Sequence, residues 1–121
     1  MTQITSTSIN GIKIAEVQSK DAIIFDAQSA LDLMVNIEYE LGCNRIAINK
    51  EAFSESFFKL STGVAGEVLQ KFTNHQVRLA VYGDFSGYTS KPLHDFIYES
   101  NKGQRFAFVS NLEQALAKLS V

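Results

Sequence analysis

The stretch Ile4-Thr5-Ser6-Thr7-Ser8-Ile9-Asn10-Gly11-Ile12-Lys13-Ile14-Ala15-Glu16-Val17 decides how the fold begins. Two alternating runs flank an Asn-Gly pair, the residues that best accept the positive φ angles of a two-residue turn. A β-hairpin is therefore expected over residues 4–17. Beyond it, residues 22–25 are apolar, rich in isoleucine and too few for a buried helix, which predicts a short buried strand. From Asp26 the apolar period becomes helical, through Ala30, Leu33, Met34, Ile37 and Leu41. Asp26 or Ser29 can cap the start of that helix, and Gly42 ends it. Residues 45–49 alternate as a strand, and residues 54–58 offer one helical turn. Residues 62–72 read as a helix with Val64, Ala65, Val68, Leu69 and Phe72 on one face, closed near Asn74. Residues 77–82 form a strand ending at Gly83-Asp84, and residues 93–100 a helix with Pro92 in its first turn. A last strand over residues 104–109 precedes Ser110-Asn111-Leu112-Glu113, which has the spacing of a capping box opening a terminal helix.

The expected order is β-β-β-α-β-α-β-α-β-α. Strands alternating with helices imply right-handed crossovers and a largely parallel sheet, with the hairpin as an antiparallel edge. The reading is one α/β domain over residues 1–121, a mixed sheet with an N-terminal hairpin and alternating helix and strand crossovers. In such sheets ligands gather at the carboxyl ends of strands, near a topological switch point. Three loops qualify: residues 49–66, residues 83–92, and Ser110-Asn111.

Composition narrows the classes of function. With 121 residues, 45% of them hydrophobic and net charge −2, the chain can bury a core of its own without metals or disulfides. No cofactor is expected. Near-neutral charge lacks the basic footprint that phosphate neutralisation requires, so nucleic acid is not an expected partner. Cys43 is the single cysteine, no basic-then-apolar leader opens the sequence, and apolar runs reach only four residues. The expectation is a cytoplasmic protein without a membrane span.

Two segments combine the residue types that chemistry needs. Leu60-Ser61-Thr62-Gly63-Val64-Ala65-Gly66-Glu67 places hydroxyls and glycines at a helix start, where free N–H groups and the helix dipole favour an anion. The same residues serve equally as a cap and as a close-packing device. No Gly-Lys-Ser/Thr ending follows, so this is not a P-loop. Asp84, Tyr88, Ser90 and Lys91 supply an acceptor, a phenol, a hydroxyl and a cation in the loop that follows the next strand. Each also has a local role in its turn or cap. His75, His94 and Cys43 show no metal-ligand spacing, Cys43 has no visible base, and the carboxylates show no convergent pair. No catalytic residue is assigned and no metal is expected.

Four blocks carry a resemblance over nearly the whole chain: residues 26–33, residues 62–72, Gly83-Asp84-Phe85 with Tyr88-Thr89-Ser90-Lys91, and residues 95–103. They resemble the bacterial domain-of-unknown-function family 4180, whose function is unassigned. More distantly, the element order resembles the STAS domains of sulfate transporters and anti-sigma-factor antagonists. Their signature loop matches residues 60–66 here, with Leu60 in place of its acidic residue and one residue more before the second glycine. In the antagonists the second hydroxyl residue is phosphorylated, and the resemblance places Thr62 there. The resulting expectation is a non-enzymatic regulatory or binding module whose surface comprises Ser61, Thr62, Gly63, Glu67, Asp84, Tyr88, Ser90 and Lys91. Its partner would be a protein or a small anionic ligand. The alternatives are a site for an anionic metabolite or lipid head group served by Lys91, and an enzyme using Asp84, Tyr88, Lys91 or His94. The hairpin edge points to a homodimer, with Lys13 and Glu16 opposing indiscriminate pairing.

Overall fold

The computed structural model describes residues 2–121. Five strands form one sheet whose spatial order is also the chain order, β1-β2-β3-β4-β5. Strands β1 (Thr2–Ile9) and β2 (Ile12–Ser19) are antiparallel and register continuously from Thr2↔Ser19 to Ile9↔Ile12. Asn10 at φ 54° and Gly11 at φ 78° make the turn between them, both in the region the Asn-Gly pair was expected to supply. Strands β3 (Arg45–Asn49), β4 (Arg78–Tyr82) and β5 (Phe106–Val109) then add in parallel. The helices are α1 (Ala27–Leu41), α2 (Glu55–Phe58), α3 (Val64–Asn74), α4 (Lys91–Lys102) and α5 (Leu112–Leu119). No helix among the described residues is long and apolar enough to cross a membrane.

Right-handed crossovers between strands laid down in chain order must put their helices on one face of the sheet. The core agrees. Val17, Ile46, Ile48, Leu79, Val81 and Phe108 form one cluster with Met34 and Ile37 of α1, Phe57 of α2, Val68 and Phe72 of α3, and Leu93 of α4. The opposite face is covered by α5, where Ala47, Ala80 and Ala107 meet Ala115 and Leu119. Strand order never reverses, so the sheet has no switch-point crevice. A site at its carboxyl end must be built by loops.

The helix ends follow local rules. Asp26 caps α1 by accepting from Ser29 N–H at 2.8 Å, while Ser29 Oγ accepts from Asp26 N–H at 3.1 Å, a reciprocal capping box. Gly42, at φ 66°, closes the same helix.

Three expectations are corrected. Residues 22–25 are not a strand: Ile24 is fully buried but makes one isolated bridge to Phe53, and Phe25 is 55% exposed. Ile23 and Ile24 N–H both donate to Ala52 O, and Ser54 N–H donates back to Ile24 O. A run of four apolar residues pins the loop without entering the ladder. The third helix begins at Val64 rather than Thr62, with Gly63 in the left-handed region at φ 79° as its first boundary. The cap of α5 is Asn111, which accepts from Gln114 N–H at 2.9 Å, while Gln114 Oε1 accepts from Ser110 N–H at 3.0 Å. The cap is one residue later than Ser110, and because the Gln114 side chain takes the N–H of Ser110 and not that of Asn111, the reciprocal capping box is not formed.

Two side-chain amides extend the sheet. Backbone pairing between β2 and β3 runs to Val17↔Ile48. Past it, Asn49 Oδ1 accepts from Ser19 N–H at 2.8 Å and Asn49 Nδ2 donates to Ser19 O at 2.6 Å. At the far edge, Asn101 Oδ1 accepts from Phe108 N–H at 2.7 Å and its Nδ2 donates to Phe108 O at 3.0 Å.

Candidate functional site

At the carboxyl ends of β3 and β4 the loops carrying α2 and preceding α4 face each other across a cleft of about 470 Å³. Phe58, Leu60 and Pro92 contribute apolar surface, and Ser61, Tyr88, Thr89 and Ser90 bring four hydroxyls. Glu55 and Lys59 complete the lining with one charge of each sign. Apolar surface with a few polar groups is the usual character of a small-ligand site.

The aromatic residues hold the two loops together. Phe58 is buried, and the Tyr88 ring stacks on it at 5.1 Å between centroids. Phe85 anchors the second loop against Phe58 at 6.1 Å and Phe108 at 6.0 Å. Lys50 Nζ lies 5.2 Å from the Tyr88 ring centre, a cation over the π face. Burial pushes the Tyr88 phenol above its ordinary value, and the Glu55 and Glu51 carboxylates push it the same way. It therefore stays protonated at neutral pH and can donate into the cleft. The chain reverses beside Lys50 through Gly83, where any Cβ would come within 2.8 Å of the Lys50 Cβ. Glycine is required there by that close approach.

Of the residues singled out in the sequence, the structure brings Ser61, Tyr88 and Ser90 to the cleft. Ser90 also caps α4, its Oγ accepting from Leu93 N–H at 3.3 Å. The others lie outside the lining. Thr62 Oγ1 sits 2.7 Å from Ser56 O and 2.8 Å from Lys59 O and accepts from Val64 N–H at 3.2 Å, so it fastens the turn under the cleft. Gly63 supplies the left-handed residue ahead of α3, and Glu67 is exposed on that helix. Asp84 accepts from Ser86 N–H at 2.9 Å, and its hydrogen bonds with Ser86, with help from Lys50, hold its carboxyl below the ordinary range. Lys91 is 84% exposed and pairs with Asp95 at 2.7 Å, one turn along its own helix. His94 Nε2 lies against Tyr88 O, holding the loop to the helix.

Sequence reading missed Lys50, Glu55, Phe58, Lys59, Leu60, Thr89 and Pro92. Lys50 stands beside Gly83 because the pairing Asn49↔Tyr82 sets the residues that follow the two strands next to each other. The others depend on how two loops meet. Among the described residues no cluster of His, Cys, Asp or Glu is arranged to hold a metal ion.

A mixed, five-stranded open sheet with helices on both faces and a loop-built cleft at its carboxyl end defines an α/β protein. The family model described as "Domain of unknown function (DUF4180)" matches residues 9–119, and the chain belongs to that family. No curated protein and no solved structure matches it.

Proposed function

We propose that this protein is a non-enzymatic binding module, and that it seats a small anionic ligand in the cleft between the α2 loop and the start of α4. The observation that carries the reading is the lining itself: four hydroxyls and the Lys59 ammonium, with Glu55 as the one carboxylate, beside an aromatic shelf in about 470 Å³. That arrangement recognises one or two oxyanion groups attached to a flat or apolar body. Lys59 takes the role first expected of Lys91, whose charge is engaged with Asp95. The Tyr88 phenol, Ser61 and Thr89 are the donors that orient the anion. Near-neutral overall charge fits such a site, since selectivity then rests on local donors rather than on a field.

Thermal unfolding against a panel of phosphorylated, sulfonated and carboxylated small molecules tests this. A cognate class at 100 times its Kd adds about 2.7 kcal/mol, roughly 10 °C in Tm for a chain of this size. The variant Ser61→Trp, which fills the cleft from an exposed position, should melt like wild type and lose the shift. The reading fails if no class shifts wild type, or if the shift survives in Ser61→Trp.

A further inference from the structure

The free edges of the sheet are finished differently. Strand β5 has four residues, and the N–H and C=O of Phe108 on its open side are taken by Asn101, with Ser110 N–H taken by Gln114. Strand β1 has eight residues, lies at the other edge, and pairs with β2 without a bulge. Its sequence Thr-Gln-Ile-Thr-Ser-Thr-Ser-Ile holds no Lys, no Pro and no charge. Those are the devices that ordinarily blunt an edge. Lys13 and Glu16, the charges expected to discourage pairing, stand one strand further in, on β2.

The turn fixes which groups are open. A two-residue loop makes Ile9 and Ile12 a hydrogen-bonded pair, and antiparallel alternation then directs the peptide groups of Gln3, Thr5 and Thr7 toward β2. The peptide groups of Thr2, Ile4, Ser6 and Ser8 point away from the sheet.

We propose that β1 pairs antiparallel with β1 of a second copy, joining the two five-stranded sheets into one across a two-fold axis between the two Thr5 residues. Only registers that set even positions against even positions let both edges hydrogen-bond, and these keep the α1-bearing faces of the two copies on the same side. The register Ile4↔Ser6 and Thr2↔Ser8 pairs residues 2–8 and sets the two Ile4 side chains on a diagonal within mutual reach. Ile4 is 40% exposed and borders a groove of about 120 Å³ with Ile37, Glu40 and Leu41 of α1, which a diagonal isoleucine would cover. Centring the axis on Ser6 instead separates the isoleucines. Because the edge strand is uncharged, no like charges meet across the seam. Seven paired residues run about 24 Å. With the flank of α1 that gives a strip on the order of 500 Å² per copy, less than the roughly 800 Å² of a standard interface. The dimer is therefore reversible.

Sedimentation of the full chain from about 1 μM to about 1 mM should show a monomer–dimer equilibrium. Ser6→Pro removes only an outward N–H, and Ser6→Lys places two like charges near the seam; each should raise the dimer Kd by about tenfold or more while the melting curve of the monomer is retained. In oxidising buffer Thr5→Cys should form a covalent dimer, because opposed residues of a non-hydrogen-bonded pair hold their Cβ atoms near disulfide distance. Cys43 is buried and does not compete. Ser8→Cys, set opposite Thr2, should cross-link about tenfold more slowly or less. A wild type that stays monomeric throughout overturns the proposal, as does a dimer indifferent to both Ser6 variants or equal cross-linking by Thr5→Cys and Ser8→Cys.

Discussion

The two faces of the sheet carry different loads. On one, Phe53, Phe57, Phe58 and Tyr88 form a chain of ring contacts, with centroids 4.6 Å, 5.0 Å and 5.1 Å apart from one link to the next, that ends in the cleft. On the other, Ala47, Ala80 and Ala107 lie in adjacent register and α5 rests on them through Ala115. Small side chains let a helix come close and leave no gap between it and the strands beneath Ala115. Large rigid rings fix the loops at their margin and leave a gap where they stop. The same sheet thus has one face whose rings frame the cleft and one whose small side chains seat a helix directly.

Cutting the ring chain is the severest way to test that division. Phe57 is fully buried and touches Phe53, Phe58 and Phe108. Phe57→Ala should cost about 3–5 kcal/mol in denaturant unfolding. It should also abolish the thermal shift by any cleft ligand, because Phe58 and Tyr88 lose their support. On the opposite face, Ala80→Leu should cost about 1–3 kcal/mol by lifting α5 from the sheet. Ligand-induced stabilisation should survive that change. Equal loss of binding in the two variants would show that the faces do not divide the work.

Acid sharpens the same contrast with a smaller effect. Helix α1, on the ring-bearing face, is capped by Asp26, whose carboxyl is held below its ordinary value of 3.8 chiefly by the Ser29 N–H. Helix α5 is capped by Asn111, which does not titrate. A depressed carboxyl stabilises the fold above its unfolded value and loses that contribution as pH falls through the folded one. Amide exchange at the first turn of α1 should therefore quicken relative to that of α5 as the pH drops below about 4. Parallel behaviour of the two helix starts would contradict the assignment of the caps.

The fold was legible wherever the deciding physics is local. Asn10-Gly11, the Asp26 and Ser29 pair, Gly42 and Pro92 act through their own φ angles or through hydrogen bonds within one turn, so their spacing alone places the hairpin and the helix ends. Residues 22–25 misled because a short apolar run is equally at home in a strand or in a loop pressed on the core, and only the partner, here Ala52, decides. The site was half legible. Both contributing loops were found, and Ser61, Tyr88 and Ser90 with them, because turn-rich sequence after a parallel strand must lie at one end of the sheet. Glu55 and Phe58 belong to a four-residue helix, and Lys59 follows it directly; the direction of that helix is set by aromatic packing from distant parts of the chain. Lys91 was expected to face a ligand, yet an aspartate four residues on engages its charge. Asn101 was not singled out at all, since nothing near it in sequence announces a β-strand edge in need of a partner.

Asn49 behaves as a spare peptide unit. Its side chain offers the same acceptor and donor that one more strand residue would, so the β2–β3 ladder is longer than its backbone pairing. The identity of the residue is consequently constrained by symmetry of function: aspartate keeps the acceptor but faces Ser19 O with a second acceptor, and leucine offers neither group. In exchange kinetics the Ser19 amide, though it closes its strand, should open only with the core, so the end of the hairpin nearest the cleft frays last.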